Sequence, residues 1–209
     1  MRKPNLVAFL AVIGILASFT ALYLTQFRKQ SGNPQLPEGL GIAAAEEAAR
    51  VLGNQGQVVL IVAEARSQNP DRTMQQAAFG KRLAQKKGMS LLAAEPMEIE
   101  RPGTMGDDGL NQDQFRSIFQ RHARAGLFVS LVGFPSLSNE ALAEMKGQKI
   151  IVVGNAGTEL RRRLQEGVVQ VAIVPRVQPS VAVTKPRTSV EWFNLIYEII
   201  TPETVGARP

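Results

Sequence analysis

The chain has 209 residues, of which 44% are hydrophobic, and it carries a formal net charge of +6 and no cysteine. The absence of cysteine excludes disulfides, thiol catalysis, a lipoprotein anchor and cysteine-ligated metal centres. The basic residues are interspersed with acids, aromatic residues make up only 6% of the chain and no nucleic-acid-binding motif occurs, so nucleic acid is not an expected partner.

The first feature in chain order is an uncharged hydrophobic run of 19 residues at positions 6–24, with basic residues on both sides. A helix of that length spans about 28 Å, which is close to the hydrocarbon thickness of a bilayer. The sequence therefore predicts a short N-terminal tail over 1–5 and one transmembrane helix over 6–24.

A cleaved signal peptide is the alternative interpretation of this run. Nineteen apolar residues are long for the hydrophobic region of a signal peptide, and cleavage after Ala21 or Ala17 would leave a large residue at the third position before the cut. We therefore expect a retained anchor. The flanking charges are nearly balanced, and the short tail with its amine favours an internal N terminus. The domain is then expected on the periplasmic side of the cell inner membrane.

The rest of the chain divides into a linker and one domain. Positions 25–38 are polar and contain two prolines, which predicts a linker. From 39 to 209, helical segments alternate with apolar runs typical of buried parallel strands, and the last segment, 190–200, is predicted to be a helix. This pattern predicts an α/β domain with a single doubly wound, mostly parallel five-stranded sheet. The predicted strands are 58–63, 89–94, 127–132, 149–153 and 168–174.

Four segments carry a family resemblance through their order and spacing. They are GIAAAEEAARVLGNQGQVVLIVA, QQAAFGKRLAQKKGMSLLA, GLFVSLVGFPSLSNEALAEM and KIIVVGNAGTELRRRLQEGVVQVAIVPR. Together, over about residues 39–176, they resemble the C-terminal lobe of type I periplasmic sugar-binding proteins. The resemblance implies one lobe of a receptor that closes on a sugar between two lobes, with the predicted anchor standing in place of the first lobe.

The sequence departs from the family's pattern at three places. The family often has an arginine three residues before a Gly-Phe pair, and here Gln75 precedes Ala78 and Phe79. Gly133-Phe134-Pro135 replaces an Asn-Asp pair, and Asn155 stands where the family often carries an aspartate. A single lobe contacts a ligand on one side only, so a second copy or another protein would have to complete a sugar site.

The predicted ligand contacts follow from the expected sheet. In open α/β sheets a ligand lies outside the carboxyl ends of the strands. The loops there are 64–68, 133–136, 154–157 and 175–177. The polar residues predicted to contact a ligand are Glu64, Arg66, Ser136 and Asn155.

Motifs for catalysis and cofactors are weak. The run 39–44 matches the dinucleotide-binding pattern G-x-G-x-x-A, but a linker precedes it where a strand is required. His122 is the only histidine, and a structural role on the apolar side of a helix predicted over 113–124 is expected for it. The carboxylates between 98 and 108 are expected to be solvated in a loop. We therefore predict no catalytic site, no metal and no cofactor.

These features predict a non-enzymatic, membrane-anchored extracytoplasmic binding or interaction module, acting as an accessory subunit of a membrane protein complex. The alternative is a sugar-like solute receptor that is completed by dimerisation or by a partner. A hydrolase or metal enzyme is a second alternative, which the missing motifs disfavour. The expected partners are the membrane, a membrane protein or a second copy, and a small sugar-like solute.

Overall fold

The structure is a computed structural model that describes residues 33–64, 69–99, 110–155, 157–177 and 186–206. The predicted tail, the predicted transmembrane helix over 6–24 and most of the predicted linker lie outside these residues, as does Arg66. Within the described ranges, no helix is long and apolar enough to cross a membrane.

Helices and strands alternate along the described chain, as the sequence predicts. The helices are α1 (Gln35–Leu52), α2 (Pro70–Ala84), α3 (Gln112–Arg121), α4 (Asn139–Glu144), α5 (Thr158–Gln165), α6 (Ser189–Ile196) and α7 (Pro202–Val205). The strands are β1 (Gly56–Ala63), β2 (Met89–Met97), β3 (Leu127–Ser130), β4 (Ile150–Val153), β5 (Val171–Pro175) and β6 (Tyr197–Ile200).

The strands form one mixed sheet in the order β2-β1-β3-β4-β5-β6. The first five strands are parallel, and β6 pairs with β5 in the antiparallel direction. Strand β2 lies on one side of β1, whereas β3 and the later strands lie on the other side, so the order of strands reverses direction between β1 and β3. In sheets of this kind the crevice for a ligand opens at that point, beyond the carboxyl ends of the strands.

Helices cover both faces of the sheet, so the doubly wound prediction is confirmed. Successive strand residues point to opposite faces: Val58 and Leu60 pack with α1, α2 and α6, whereas Val59 and Ile61 pack with α3, α4 and α5. Both faces of the central strands are therefore buried, which explains their continuous apolar sequences.

The prediction of five strands is wrong, because the segment predicted as a helix over 190–200 contains a strand. Helix α6 begins after Thr188, whose side chain forms a capping box with Glu191, and it ends at Ile196. Tyr197–Ile200 then pairs with the free edge of β5. Tyrosine and isoleucine favour strands. The segment is apolar enough for a helix or a strand, and pairing with the free edge of β5 decides for the strand.

The predicted linker over 25–38 is too long at its C-terminal end, because α1 already begins at Gln35. Pro37 is tolerated in the first turn, where the backbone N–H groups have no partner within the helix. Gln35 Nε2 donates to the carbonyl of Arg187 at 2.8 Å, and Ser189 Oγ donates to Glu38 at 2.5 Å. These contacts tie the start of α1 to the start of α6.

The two glycines of the G-x-G pattern allow close contacts between helices. A Cβ atom on Gly39 would lie 2.1 Å from the carbonyl oxygen of Ser189, and one on Gly41 would lie 2.2 Å from the carbonyl oxygen of Gln75. Helix α1 therefore contacts α6 and α2 backbone to backbone, which only glycine permits. This contact gives both glycines of the pattern a structural role.

Candidate functional site

A cleft with a volume of about 710 Å³ opens at the carboxyl end of β1. The end of β1, the first two turns of α2 and Leu131 after β3 form its walls. Its position is the β1/β3 reversal point of the sheet, and its volume is within the range of roughly 300–1,000 Å³ that is usual for small-molecule sites. The polar residues that line it are Glu64, Asn69, Arg72, Thr73, Gln75 and Gln76.

Gln75 differs from the other polar residues of the cleft because it is buried and unpaired. It is 6% exposed, and its Nε2 atom is shielded from solvent without a hydrogen-bond partner among the described residues. A buried donor without a partner costs about 1–3 kcal/mol.

The start of α2 is already satisfied by its own cap. Asn69 Oδ1 accepts from the backbone N–H of Asp71 at 2.9 Å, and the Asn69 carbonyl accepts from those of Arg72 and Thr73 at 3.1 and 3.3 Å. Pro70 has no N–H to offer. Helix N-termini attract anions through free N–H groups, and the cap has occupied those of the first turn. The first turn of α2 therefore offers an anion no unpaired N–H group.

The loop after β3 is closed by its own contacts. The buried Ser130 hydroxyl donates to the carbonyl of Gly133 at 2.6 Å and accepts from the N–H of Val132 at 3.4 Å. Gly133 has φ +103°, a conformation that side chains disfavour. Phe134 turns inward, where it is 3% exposed and makes an edge contact with Phe115 at 5.5 Å between ring centroids.

The loop after β4 packs directly against the loop after β3. A Cβ atom on Gly154 would lie 3.2 Å from the Cα of Gly133, so the two backbones meet at a pair of glycines. The N–H of Gly154 donates to the carbonyl of Ile173 at 3.1 Å. Backbone and apolar side chains thus fill the place where the resembling family has an Asn-Asp pair.

Of the three predicted contact residues that the structure describes, Glu64 alone lines the cleft. It is half-buried, and its backbone N–H donates to Met97 O at 2.9 Å. Ser136 and Asn155 are exposed in the loops after β3 and β4 and are not among the residues that line the cleft. Arg66 lies outside the described residues. Ligand contact by these four residues stays a prediction.

Gln75 was identified from the sequence as a departure from the family but not as a site residue. Its spacing along α2 is the signal that could have identified it. The buried residues of α2 are Gln75, Phe79 and Leu83, which are spaced four residues apart on one face. A glutamine on the buried stripe of an amphipathic helix must find a partner or leave an unpaired amide.

His122 has a structural contact, although not the one expected. It follows the last turn of α3 and does not lie on the apolar side of a helix over 113–124, and its Nε2 lies 2.6 Å from Oε1 of Glu95. Arg121 contacts the other oxygen of Glu95 at 2.6 Å. The hydrogen bond with His122, and next that with Arg121, hold the pKa of Glu95 below its usual value of 4.5. Among the described residues, no group of three His, Asp or Glu side chains is placed to hold a metal.

Comparison with solved structures shows which proteins share this fold. AraP, an arabinose binding protein from Geobacillus stearothermophilus, matches with a TM-score of 0.56 at 14% identity over 82% of this chain. An ABC transporter solute binding protein from Burkholderia graminis, in complex with D-arabinose, gives the same values. Another such protein, from Bacillus halodurans with bound myo-inositol, has a TM-score of 0.54 at 13% identity over 85% of this chain. The shared feature is the fold.

The alignments cover only part of each of these solved proteins. The aligned region covers 62% of AraP and 61% of each of the other two proteins, so this chain spans about three-fifths of their length. No protein-family model matches the sequence, and no curated protein matches it. The fold is therefore that of part of a solute-binding protein, as the sequence resemblance implied.

Proposed function

We propose that the chain is a non-enzymatic solute-binding lobe, and that the cleft at the end of β1 is where it contacts its solute. This is the receptor alternative from the sequence rather than the accessory-subunit interpretation. The observation that carries the proposal is the cleft of about 710 Å³ at the reversal point of the sheet, beyond the carboxyl end of β1. The fold supports it, because it is shared with an arabinose binding protein and with two solute binding proteins, one in complex with D-arabinose and one with bound myo-inositol.

A second surface is needed to enclose the solute. Tight small-molecule sites bury most of the ligand surface, whereas this cleft has walls only from one lobe. A second copy of the chain or a partner protein would supply the opposite wall. Binding is then expected to depend on protein concentration when the second wall comes from another copy.

The helix predicted over 6–24 would hold this lobe at the outer face of the inner membrane. Its hydrophobic length and the polar stretch after it support the proposal. Alkaline carbonate extraction of membranes and protease treatment of intact and lysed spheroplasts test it. We expect a membrane-bound protein whose domain is cleaved from outside. A soluble protein with a new N terminus near residue 21 would show a signal peptide instead.

Thermal unfolding of the full chain in a mild detergent tests solute binding. The probes are D-arabinose, D-glucose, D-galactose and myo-inositol at millimolar concentration, with light scattering to give the mass in each condition. A solute at 100 times its Kd stabilises the folded state by about 2.7 kcal/mol, which is a measurable rise in Tm. The absence of a shift with every probe, in monomer and oligomer alike, would contradict the proposal.

An accessory subunit of a membrane protein complex is the second candidate. The observation that favours it is that the loops after β3 and β4 are closed by their own contacts at Gly133 and Gly154. Size measurement after gentle extraction, followed by identification of any co-purifying chain, tests it. A free monomer under all extraction conditions would count against it.

A further inference from the structure

The outer edge of β2 is a free edge of the sheet. Strand β2 stands first in the sheet order, and among the described strands it pairs only with β1. We propose that a second copy of this chain binds there, with the two β2 strands antiparallel about a two-fold axis between Leu92 and Ala93. This contact is separate from the solute cleft and goes beyond the proposed function.

The two edges of the sheet differ in length and exposure. At the other edge, β6 has four residues, and all of them are buried or half-buried. Strand β2 has nine residues, and Leu91 and Leu92 are 41% and 44% exposed. Lysine or proline commonly shields a free edge, and positions 90–95 contain neither. The β2 edge is therefore the one that offers an apolar strand for pairing.

Gln114 closes the C-terminal end of this edge. The carbonyl of Met97 accepts from the N–H of Glu64 after β1, so the backbone groups of its two neighbours point to the outer side. There Gln114 Nε2 donates to the carbonyl of Pro96 at 3.2 Å, and Gln114 Oε1 accepts from the N–H of Glu98 at 3.0 Å. Pairing with another strand must therefore end before Pro96.

The N-terminal end of the edge is occupied in a similar way. The N–H of Met89 donates to the carbonyl of Lys86 at 3.1 Å, within the turn that precedes the strand. The part of the edge without such contacts among the described residues is 90–95, the open section. Its midpoint lies between Leu92 and Ala93, which sets the position of the two-fold axis.

The charges at the two ends of the edge fit the same axis. Lys87 and Glu98 are exposed, and neither forms an ion pair with another described residue. They stand equally far from the midpoint of the open section, so antiparallel pairing sets Lys87 of each copy opposite Glu98 of the other. Opposite charges across two strands stabilise the pair, and like charges destabilise it. The edge is thus self-complementary, which favours a second copy as the partner.

The apolar side chains of the open section match in the same register. Leu91 of one copy would lie opposite Ala94 of the other, and Leu92 opposite Ala93, so each large side chain meets a small one. Pairing would remove both exposed leucines of each copy from water, which is favourable.

The antiparallel arrangement also determines where the two solute clefts lie. Each cleft is at the carboxyl end of its own β1, which is parallel to β2. The carboxyl ends of the two copies would point in opposite directions along the joined sheet. A copy bound through β2 therefore does not cover the other cleft, and the second wall of the solute site comes from another surface or chain.

Disulfide cross-linking of the full chain in excess mild detergent tests the register, since the chain has no cysteine of its own. The variants Leu91→Cys and Ala94→Cys are oxidised alone and mixed. Directly opposite residues lie about 4.5–5.5 Å apart between Cα atoms, within disulfide range, so we expect linked dimers in the mixture. Each variant alone, and Leu91→Cys mixed with Ser90→Cys, keeps the cysteines about 10 Å or more apart. Equal linking in every sample would overturn the register.

A charge exchange tests the ends of the contact, with the dimer Kd measured by sedimentation velocity. Lys87→Glu and Glu98→Lys should each weaken the dimer about tenfold, because two attractive pairs become repulsive. The double variant should restore the original Kd. Lys146→Glu, an exposed control with the same change of charge, should leave it unchanged. Failure of the double variant to restore the dimer would overturn the pairing of Lys87 with Glu98.

The combined variant Leu91→Lys and Leu92→Lys tests the edge as a whole. We expect a monomer, because lysines on an edge strand oppose pairing, and a preserved Tm shows that the chain has folded. A dimer that survives both lysines would overturn the β2 contact. A natural chain that stays monomeric at every concentration would overturn it too, and would show that the register shift at Leu92 protects the edge. Solute binding is a separate measurement, since the cleft lies outside the contact.

Discussion

Two neighbouring parts of the same sheet edge use their polar groups in opposite ways. At the ends of β3 and β4, Ser130 holds Gly133, and Gly154 packs against that glycine. At the end of β1 the edge opens into a cleft, where Gln75 is buried with its amide nitrogen unpaired. The two parts are adjacent, because β1 and β3 are paired strands.

We infer from this difference that one part of the edge has a structural role and the other a binding role. Buried polar groups whose hydrogen bonds are all made help to fix one conformation. A buried group without a partner lowers stability, so it persists where another requirement, such as a ligand, retains it. The closed side is therefore expected to contribute to stability, and the open side to binding. The predictions below test that division.

The largest effect is expected from Phe134→Ala on the closed side. Phe134 is 3% exposed against Phe115, and removing its ring would leave a cavity under the β3 loop. Such substitutions cost about 3–5 kcal/mol, measured by urea unfolding. The control Phe134→Leu keeps much of the volume and should cost clearly less. A loss below about 1 kcal/mol would show that the ring does not hold the loop.

A smaller loss is expected from Gly154→Ala at the contact between the two loops. The new Cβ would lie 3.2 Å from Gly133 Cα, so the loops must separate, at a cost of about 1–3 kcal/mol. Gly80→Ala is the matched control, since a Cβ atom there would meet nothing within 4 Å beyond its chain neighbours and the backbone of α2 itself. The control should gain about 0.5–1 kcal/mol in the helix. Equal effects would disprove the close contact.

On the open side, we expect Gln75→Met to raise the free energy of unfolding in the absence of solute. Replacing an unpaired buried amide by an apolar side chain of similar length removes the cost of the unmet hydrogen bond, a gain of about 1 kcal/mol. Gln165→Met should be near zero, because Gln165 is exposed. Urea unfolding measures both. A loss of stability in Gln75→Met would indicate that the amide has a partner.

Much of the fold follows from local patterns in the sequence. The run VVLIVA is apolar on both faces and becomes most of β1, a strand that is paired on both sides. Strand β6 could not be predicted in this way. The end of the segment 190–200 is apolar enough for a helix or a strand, and the choice depends on the free edge of β5, which is a tertiary contact.

The site is less predictable than the fold for the same reason. Glu64, which the rule on the carboxyl ends of strands selected, lines the cleft. The rule gave equal weight to Ser136 and Asn155, because the closure of their loops depends on contacts between β3 and β4 that no local pattern contains. The unpaired state of Gln75 depends on how α2 packs in the domain, so the sequence shows the glutamine but not its missing partner.

The smallest effect on stability is expected from replacing Glu95. Its carboxylate is paired, in contrast to the unpaired amide nitrogen of Gln75. His122, and next Arg121, lower the pKa of Glu95 below 4.5 in the folded state. Its contribution to stability is therefore complete above pH 4.5 and is lost as the pH falls through the lowered folded-state pKa.

Glu95→Gln should then cost at most about 1 kcal/mol near pH 7, since partly exposed ion pairs contribute little. That cost should shrink as the pH falls below 4.5, the ordinary pKa of the carboxyl. The exposed neighbour Glu98→Gln removes the same charge and should change little. Urea unfolding of the three proteins between neutral pH and about pH 3 measures the difference. A cost that persists undiminished at the lowest pH would mean that Glu95 acts through packing. In that case the charge of Glu95 would not be the source of its contribution to stability.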